Sequence, residues 1–439
     1  MIKVTKFGGS SLADAEQFRK VNNIIISDPN RRFVIPSAPG RRFDGDTKVT
    51  DLLYKCYETA QRGEDFTGEL ATIRMRYDAI KTGLGLSADI EHEFRVIEEN
   101  FHARKGKAYA ASRGEYLNGL LLAEFLGFEF VDSAGLIRFD DNGEYDDKAT
   151  RILMEEGLGN KENGVVPGFY GSKDNGEICT FSRGGSDVTG SLVARGVHAD
   201  VYENWTDVSG FLVTDPHIVE NPEKIDTITY REMRELSYMG ASVLHEDAIF
   251  PLRKEGIPVN VRNTNDPEDP GTMIVEDTCV KPKYTITGIG GKKDFVSITI
   301  EKDMMNSEIG FGRRLLQVIE EAGLSFEHTP SGIDTFTVYL SQKDFEPHEQ
   351  EIIAGLHKAV SPDLIELESD LALIAVVGRG MKRTRGTAGR IFSALAHARV
   401  NVKMIDQGSS ELNIIIGVEN KDFETAIRAI YDIFVTIKI

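Results

Sequence analysis

The first seven residues alternate between apolar and polar side chains, and the alternation ends at two glycines. Ile2, Val4 and the residues up to Phe7 follow the two-residue period of a β-strand. Gly8 and Gly9 then predict a tight turn. Asp14 and Gln17 have the spacing of a capping box, and a helical period of apolar residues follows. The chain is therefore predicted to open with a strand, a glycine turn and a helix.

The same order returns near residue 180. An apolar run at 178–181 leads into Ser182 to Asp187, which reads Ser-Arg-Gly-Gly-Ser-Asp, and a helical period follows. A glycine turn before a helix presents bare backbone N–H groups to an anion such as phosphate, and Lys6 adds a cation at the first turn. One such turn is a weak signal because short motifs often occur by chance. Two turns in one domain are a stronger indication of a phosphate site.

Strands alternate with helices through the first 275 residues. This alternation predicts an α/β fold with an αβα sandwich. Residues 51–111 are expected to be mostly helical, and Ser112 with Glu115 has the spacing of a capping box at the start of a further helix. Ser37 follows the predicted strand at 32–36, where such sheets bind ligands. Further strands are predicted at 128–132, 165–169, 178–181, 200–205, 257–261 and 272–275, and further helices at 232–237 and 243–254.

The C-terminal third contains an internal repeat with a shift of 76 residues. Apolar positions mostly fall on apolar positions, and each copy reads strand, helix, strand, strand, helix. In the first copy we expect a strand at 295–300, a helix at 312–322 and strands at 324–328 and 333–340, with a further helix after them. This order predicts the ferredoxin-like βαββαβ plan used twice. A pair of small domains without catalytic residue types indicates ligand sensing, and structural dimerisation is the alternative. Matching pairs are Ile298/Ile374, Phe311/Thr387, Leu316/Phe392, Ile319/Leu395, Leu324/Val400, Gly332/Gly408, Phe336/Leu412 and Val338/Ile414.

Composition narrows the class of protein. The chain has 439 residues, 41% of them apolar, and a formal charge of −19, which argues against nucleic-acid and membrane-surface partners because these require a basic surface. Three widely spaced cysteines, Cys56, Cys179 and Cys279, support neither a disulfide framework nor a zinc site. The N-terminus has no apolar signal region, so we expect a cytoplasmic protein.

With both turns and the repeat considered together, the whole chain resembles the aspartate kinases, specifically monofunctional ones with two C-terminal ACT domains. The resemblance spans essentially all residues, and the combination of Lys-Phe-Gly-Gly, Arg-Gly-Gly-Ser-Asp and an ACT pair is highly specific. The matching segments are Lys6 to Ser11, Ser112 to Glu115, Arg183 to Asp187, Trp205 to Asp207, Leu244 with His245, Gly378 to Met381 and Gln407 to Ser410.

The resemblance implies an amino-acid-kinase fold that phosphorylates the β-carboxylate of L-aspartate with MgATP, the first step toward lysine, threonine and methionine. It implies that Lys6, Gly8 and Gly9 hold the transferring phosphoryl group and that Asp187 organises the phosphate site and its cations. Aspartate would be held by Ser37, Thr50, Glu115, Arg183, Gly184 and Ser186, with Arg183 on its α-carboxylate and Glu115 on its ammonium group.

Thr206 and Asp207 would border the nucleotide, and Lys6 would reach its phosphates. The chain departs from the family pattern at this end of the site. Leu212 replaces a common tyrosine, His217 stands in place of an arginine, and Ser242 in place of a lysine. We therefore expect an active kinase with a rearranged nucleotide pocket that includes Leu212, His217 and Ser242, and Mg²⁺ held mainly through the nucleotide phosphates rather than by a protein metal site.

The ACT pair implies feedback by a pathway amino acid, with lysine as the first expectation and threonine as the second. It also implies a homo-oligomer, a dimer or a tetramer, formed through the ACT domains. The expected domains are 1–280 for the kinase, 281–367 for the first ACT region and 368–439 for the second, and the strand near Tyr284 to Ile289 is a candidate member of the second. Effector candidates, which have capping or core roles as the alternative, are Met304, Asn306, Ser307, Gly310, Phe311, Ser325, Phe326, Glu327 and Ser331.

Two competing functions remain open from the sequence. Another amino acid kinase, acting on acetylglutamate, glutamate, carbamate or UMP, would share the fold, but those families generally lack an ACT pair. A non-catalytic amino-acid sensor of the same fold is suggested by the three departures at the nucleotide end.

Overall fold

The computed structural model describes residues 1–182, 184–241, 244, 246–278, 280, 282–382 and 384–437. They form two compact units, which are treated separately below. The first unit comprises Met1–Phe211, Asp226–Tyr230 and Val243–Thr278, and the second comprises Leu212–Ile225, Arg231–Ser242 and Cys279–Ile439. Two segments before residue 280 thus belong to the second unit, and the expected domain boundary at 280 stays a prediction.

The first unit is built on a seven-stranded sheet in which neighbouring strands are parallel except for one pair. A separate two-stranded ribbon, β4–β5, lies outside this sheet. The order in the sheet is β3-β2-β1-β6-β8-β9-β7, and β8 and β9 form the antiparallel pair. The strands are β1 Lys3–Phe7, β2 Arg31–Pro36, β3 Gly164–Val165, β4 Tyr170–Ser172, β5 Ile178–Thr180, β6 Val201–Thr206, β7 Thr227–Thr229, β8 Val259–Asn263 and β9 Thr272–Val275.

The helices of the first unit follow the strands in the predicted order. Asp14 caps the first helix by accepting a hydrogen bond from the backbone N–H of Gln17, as its spacing predicted. The helical region expected at 51–111 is confirmed as helices α2 to α5. The helices are α1 Ala15–Ile26, α2 Val49–Gln61, α3 Thr67–Leu84, α4 Ile90–His102, α5 Lys107–Leu126, α6 Asp147–Leu158, α7 Gly185–Gly196 and, after α8 of the second unit, α9 Phe250–Glu255.

Three local predictions in this unit differ from the structure. Ser112 does not cap a helix, because α5 begins at Lys107 and the Ser112 hydroxyl donates to the carbonyl of Tyr109 within it. The helix expected over 243–254 is confirmed in part, as a 3-10 turn over Glu246–Ile249 that continues into α9, where Pro251 lies in the first turn. The strand expected at 128–132 is a single bridge between Phe130 and Val165.

The second unit contains a five-stranded antiparallel sheet in the order β11-β10-β12-β14-β13. Its strands are β10 Gly288–Glu301, β11 Thr335–Ser341, β12 Leu364–Val377, β13 Met404–Asp406 and β14 Asn413–Glu419. Its helices are α8 Tyr230–Tyr238 (whose first residue belongs to the first unit), α10 Phe311–Glu321, α11 Gln342–Phe345, α12 Glu349–Val360, α13 Thr387–His397 and α14 Phe423–Tyr431.

The internal repeat has a direct structural counterpart. Ile298 and Ile374 lie in β10 and β12, and Phe311 and Thr387 are the first residues of α10 and α13. The two copies share one sheet, because β10 pairs along its whole length with β12, from Gly288 opposite Val377 to Glu301 opposite Leu364. The strand expected at 324–328 is reduced to a bridge between His328 and Tyr339 and one further backbone hydrogen bond from Glu327.

Candidate active site

The end of the first strand brings together a lysine, an aspartate and an asparagine. Lys6 is 8% exposed, and its Nζ lies 2.8 Å from Oδ1 of Asp187. The register of β1 on β6 places Asn204 beside Lys6, and Asn204 Nδ2 donates to the same Oδ1 at 2.8 Å. Asp187 lies in the first turn of α7, where the helix dipole favours a carboxylate. The arrangement fixes the ammonium group of Lys6 next to a helix N-terminus.

The first glycine turn packs backbone against backbone. Gly40 N–H donates to the carbonyl of Gly9 at 2.8 Å. A Cβ on Gly9 would lie 2.8 Å from the carbonyl oxygen of Ala38, and a Cβ on Gly40 would lie 2.6 Å from the carbonyl carbon of Gly9. Gly8 N–H donates to Trp205 O, which ties the turn to β6. The close approach of the turn to residues 38–40 therefore requires glycine at positions 9 and 40.

The second glycine turn begins helix α7. Gly184 is the N-cap residue with φ of 57°, which favours glycine, and Ser186 is buried in the first turn. A Cβ on Gly185 would lie 2.4 Å from the ring of Phe169, so this position also requires glycine. Arg183, the predicted partner of the substrate α-carboxylate, lies outside the described residues. The turn thus places Gly184, Ser186 and Asp187 together at one helix end.

Glu115 is a buried carboxylate in the middle of α5. It is 6% exposed, and its Oε2 has no hydrogen-bond partner among the described residues. Burial raises the pKa of the Glu115 carboxyl to about 8, an effect that the backbone N–H of Ala38 and the charge of Arg113 only partly oppose. An ionised carboxylate in this position requires a nearby cation. Among the described residues, Arg113 compensates for only part of the cost of burial.

Residues 37–40 connect these parts. Ser37 N–H donates to Phe7 O at 3.1 Å, and Ser37 O accepts from Nδ2 of Asn118 at 2.7 Å. Thr50 lies in the first turn of α2, and the preceding Val49 N–H donates to Pro39 O. The structure therefore joins Lys6, Asp187, the two glycine turns, Ser37 and Glu115 within the first unit, and it attaches the helix that carries Thr50 to the same segment.

The predicted nucleotide residues fall into different units. Thr206 ends β6 in the first unit, and its hydroxyl donates to Asp207 Oδ1 at 3.2 Å. Leu212 and His217 belong to the second unit; the His217 ring is 92% exposed and its Nδ1 lies 2.9 Å from Asp215. Ser242 and His245 lie outside the described residues. The described nucleotide candidates are therefore divided, with Thr206 and Asp207 in the first unit and Leu212 and His217 in the second.

The effector candidates all lie in the second unit. Met304 (69% exposed), Asn306, Ser307, Ser325, Phe326 and Ser331 are exposed, and Glu327 accepts a hydrogen bond from the hydroxyl of Tyr238 at 2.6 Å. Gly310 is the N-cap residue of α10, and Phe311 is buried in the core of this unit. Gly310 therefore has the capping role and Phe311 the core role that the sequence analysis gave as the alternative to effector binding.

The sequence analysis missed Asn118 and Asn204, two buried amides that contact the site. Neither residue belongs to a sequence motif, but each could be located from its position relative to a predicted site residue. Asn204 is found from the register of two parallel strands, which places it beside Lys6. Asn118 is found from the helix period, because it follows Glu115 by three residues and so lies on the same helix face.

The described residues contain no group of three or more His, Cys, Asp or Glu side chains placed to hold a metal ion. Their helices include none that combines the length and apolar composition needed to cross a bilayer. Cys56 and Cys179 are free thiols, and Cys279 lies outside the described residues.

Comparisons with known proteins show the family to which the chain belongs. Residues 1–263 match the model of the amino acid kinase family, and residues 374–434 match that of an ACT domain. Aspartokinase 3 of Bacillus subtilis is 40% identical, with 99% of this chain and 98% of the relative aligned.

Two solved structures of aspartate kinases are similar to this chain in three dimensions. The crystal structure of Clostridium acetobutylicum aspartate kinase is 51% identical with a TM-score of 0.91, and 99% of both chains are covered. Escherichia coli aspartokinase III in complex with aspartate and ADP is 27% identical with a TM-score of 0.74, again over 99% of both chains. The chain therefore belongs to the amino acid kinase family and, within it, to the aspartate kinases.

Proposed function

We propose that this aspartate kinase transfers the γ-phosphoryl group of ATP to the β-carboxylate of L-aspartate at the site built around Lys6 and Glu115, giving 4-phospho-L-aspartate for lysine, threonine and methionine synthesis. The observation that carries the proposal is the position of Lys6, whose buried ammonium group is held by Asp187 and lies beside the glycine turn. An ammonium group has three N–H donors, so contact with Asp187 leaves donors for a phosphoryl group.

The chemistry requires charge neutralisation rather than a base. A carboxylate with an ordinary pKa near 4 is already ionised at neutral pH, so its obstacle is the approach to a polyanion. Phosphoryl transfer is catalysed mainly by positioning and electrostatic stabilisation. One cation at about 4 Å contributes roughly 4 kcal/mol of attraction at an effective dielectric of about 20. Lys6 and the backbone N–H groups of the two glycine turns supply donors of this kind.

Aspartate is proposed to bind between the two glycine turns. Its ammonium group would pair with Glu115, whose buried carboxylate has an unpartnered oxygen. Ser37, Thr50, Gly184 and Ser186 would contact the rest of the molecule. Arg183 is assigned to the α-carboxylate on its sequence position alone, because guanidinium groups bind carboxylates in a bidentate manner.

ATP with Mg²⁺ is the proposed phosphoryl donor, supported by the ADP bound in the Escherichia coli relative. Thr206 and Asp207 remain proposed nucleotide contacts, as do Leu212, His217 and Ser242. Asp187 fits a magnesium ion held by one or two carboxylates and by substrate phosphates, the usual arrangement for this ion. Bound Mg²⁺ would neutralise phosphate charge, and Asp187 would hold both it and Lys6 in place.

Regulation by an amino acid is proposed for the second unit. The Escherichia coli relative was solved with lysine and aspartate in a T-state, and the Clostridium enzyme is described as allosteric. We therefore propose lysine as the first effector to test and threonine as the second, acting on a homo-oligomer. An inhibition screen with lysine, threonine and methionine, combined with sedimentation analysis, tests both parts.

The test of the reaction is formation of aspartyl hydroxamate from MgATP, aspartate and hydroxylamine. Lys6→Ala is expected to lower kcat by at least about a hundredfold, because it removes preorganised charge from the phosphoryl site. Lys3→Ala is the matched control, since Lys3 lies on the same strand but pairs with Asp28 and Glu203. Absence of hydroxamate with the unmodified chain would contradict the function, and near-normal turnover of Lys6→Ala would remove Lys6 from the mechanism.

A further inference from the structure

The side-chain carbonyl group of Asn118 is buried and accepts no hydrogen bond from the described residues. The side chain is 0% exposed, and Nδ2 donates to the carbonyl of Ser37 at 2.7 Å. Because Ser37 O can only accept, this bond fixes which end of the amide faces it and directs Oδ1 elsewhere. Oδ1 has no hydrogen-bond partner in the described structure. An unpartnered buried acceptor is unfavourable, so its persistence calls for an explanation.

A second unpartnered oxygen belongs to the same helix face. Glu115 Oε2 also lacks a partner, and it lies one helical turn before Asn118. Both side chains meet the segment that follows β2: Asn118 contacts Ser37, and Glu115 is influenced by the N–H of Ala38. That segment packs against Gly9 through Gly40. The described structure thus leaves two buried acceptor oxygens without a partner, both on α5 and next to the segment that packs against Gly9.

The chemistry of this pair selects its ligand. Two acceptor oxygens require a group with at least two donors, and the carboxylate favours a positive charge. A hydroxyl offers a single donor and no charge, whereas a primary ammonium group meets both conditions. We propose that Asn118 Oδ1 binds the α-ammonium group of aspartate together with Glu115, and that Asn118 thereby distinguishes an amino acid from a plain dicarboxylic acid. The assignment rests on the function proposed above.

The test compares aspartate with succinate, which has both carboxylates but no ammonium group. Asn118→Leu keeps the size of the side chain and removes the carbonyl. We expect the KM for aspartate to rise about tenfold or more, because a hydrogen bond to a charged group is lost, while the KM for ATP stays within about twofold. The inhibition constant of succinate is expected to stay within about twofold of wild type, because succinate makes no bond to Oδ1.

The succinate arm separates recognition from support of the loop. If Asn118 only held Ser37 in place, its loss would weaken aspartate and succinate equally. Asn260→Leu is the matched control, because Asn260 also has an unpartnered Oδ1 but lies in β8 and contacts neither Ser37 nor Ala38 in the described structure. This control is expected to leave the KM for aspartate unchanged.

Two additions make every outcome decisive. Asn118→Ala replaces Asn118→Leu if the latter does not fold, as judged by its thermal transition. Calorimetric titration of aspartate without ATP measures ammonium recognition even if no phosphoryl transfer occurs, so failure of the reaction and failure of this assignment are told apart. A rise in the aspartate constant alone supports the proposal, whereas an equal rise for succinate, or no rise in either, overturns it.

Discussion

Two buried glutamates of the first unit, Glu115 and Glu203, have opposite surroundings. Glu203 is 0% exposed and accepts hydrogen bonds from Arg31 at 2.8 Å, Lys3 at 3.1 Å and the indole N–H of Trp205 at 2.9 Å. Burial would raise the pKa of the Glu203 carboxyl, but the bonds and charges of Arg31 and Lys3 outweigh it and hold the pKa below its usual range. Glu115, in contrast, has its pKa raised to about 8 and one oxygen without a partner.

The contrast indicates a structural role for the Glu203 carboxylate and a ligand-binding role for the Glu115 carboxylate. Both carboxylates are buried, so burial alone does not identify a binding site. What differs is whether the fold supplies cations and donors to the charged group. At Glu203 it does so on the sheet face that carries Lys3 and Trp205. At Glu115 the described residues do not supply a partner for Oε2, and we propose that the ammonium group of the substrate does.

The largest expected effect follows from removing the charge at Glu203. Glu203→Gln leaves Arg31 and Lys3 without their buried partner, and breaking a buried ion pair typically destabilises a protein by about 3–5 kcal/mol. Urea denaturation followed by fluorescence measures this loss for the first unit, because Trp205 is the only tryptophan in the chain. Midpoints and slopes are compared rather than amplitudes, since the substitution changes the surroundings of the indole.

The matched control for that loss is Glu129→Gln, which breaks a surface ion pair with Lys161. Exposed pairs contribute at most about 1 kcal/mol, so the denaturation midpoint should barely move. A Glu203→Gln protein as stable as Glu129→Gln would show that the described network around Glu203 does not stabilise the unit, and the comparison of the two buried glutamates would fail.

A smaller effect of another kind is expected at Glu115. Glu115→Gln should raise the KM for aspartate about tenfold to a hundredfold, since bonds between charged groups contribute about 1.5–3 kcal/mol. The free energy of unfolding without substrate should stay the same or increase at pH 7. The raised pKa of Glu115 means that the wild-type chain must take up a proton on folding, which costs stability above the ordinary pKa of a glutamate, and glutamine removes this cost. Steady-state kinetics and the same urea titration measure the two quantities.

Glu124→Gln provides the control on the same helix, because Glu124 binds the backbone of Ser87 and Ala88 away from the glycine turns. Its KM for aspartate should match wild type. If Glu115→Gln instead lost several kcal/mol of stability and kept its KM, Glu115 would be a structural carboxylate of the same kind as Glu203.

The sequence predicted what depends on short-range patterns. The alternation up to Phe7 predicted β1, and the Asp14–Gln17 spacing predicted a helix cap. The repeat matched Phe311 with Thr387, and these are the first residues of equivalent helices. Each of these follows from neighbouring residues or from comparison of the chain with itself. The two glycine turns, with their lysine and aspartate, were identified in the same way.

What the sequence did not predict depends on tertiary packing. The serine at 112 has the chemistry of a cap, but inside a long helix its hydroxyl bonds back to Tyr109, and only the full length of α5 decides between the two. The shared sheet of the second unit requires β10 to pair with β12 from one end to the other, with interruptions near Phe295. No local hydrophobic period in the sequence predicts which strands pair. Asn118 and Asn204 act through neighbours that are distant in the chain.

The last expected effect needs no substitution, because it is a pH dependence of aspartate binding that the raised pKa of Glu115 produces. Near pH 7 the free protein holds a proton on Glu115, and the substrate ammonium requires the ionised form, so binding must release that proton. With a pKa of about 8, the apparent Kd for aspartate should rise about fivefold from pH 8 to pH 7 and nearly tenfold again to pH 6.

Aspartate itself does not titrate in this range, because its carboxyl groups stay ionised and its amine stays charged. Calorimetry in two buffers with different ionisation enthalpies counts the protons released, and close to one proton is expected at pH 7. Glu115→Gln should bind more weakly but with no dependence on pH between 6 and 8. Substitution at Glu203 should leave the dependence intact, because its cations keep that carboxyl ionised throughout. A pH-independent Kd in the wild-type chain would mean that Glu115 is already ionised before aspartate arrives, and the difference between the two glutamates would then lie in their partners and not in their protonation.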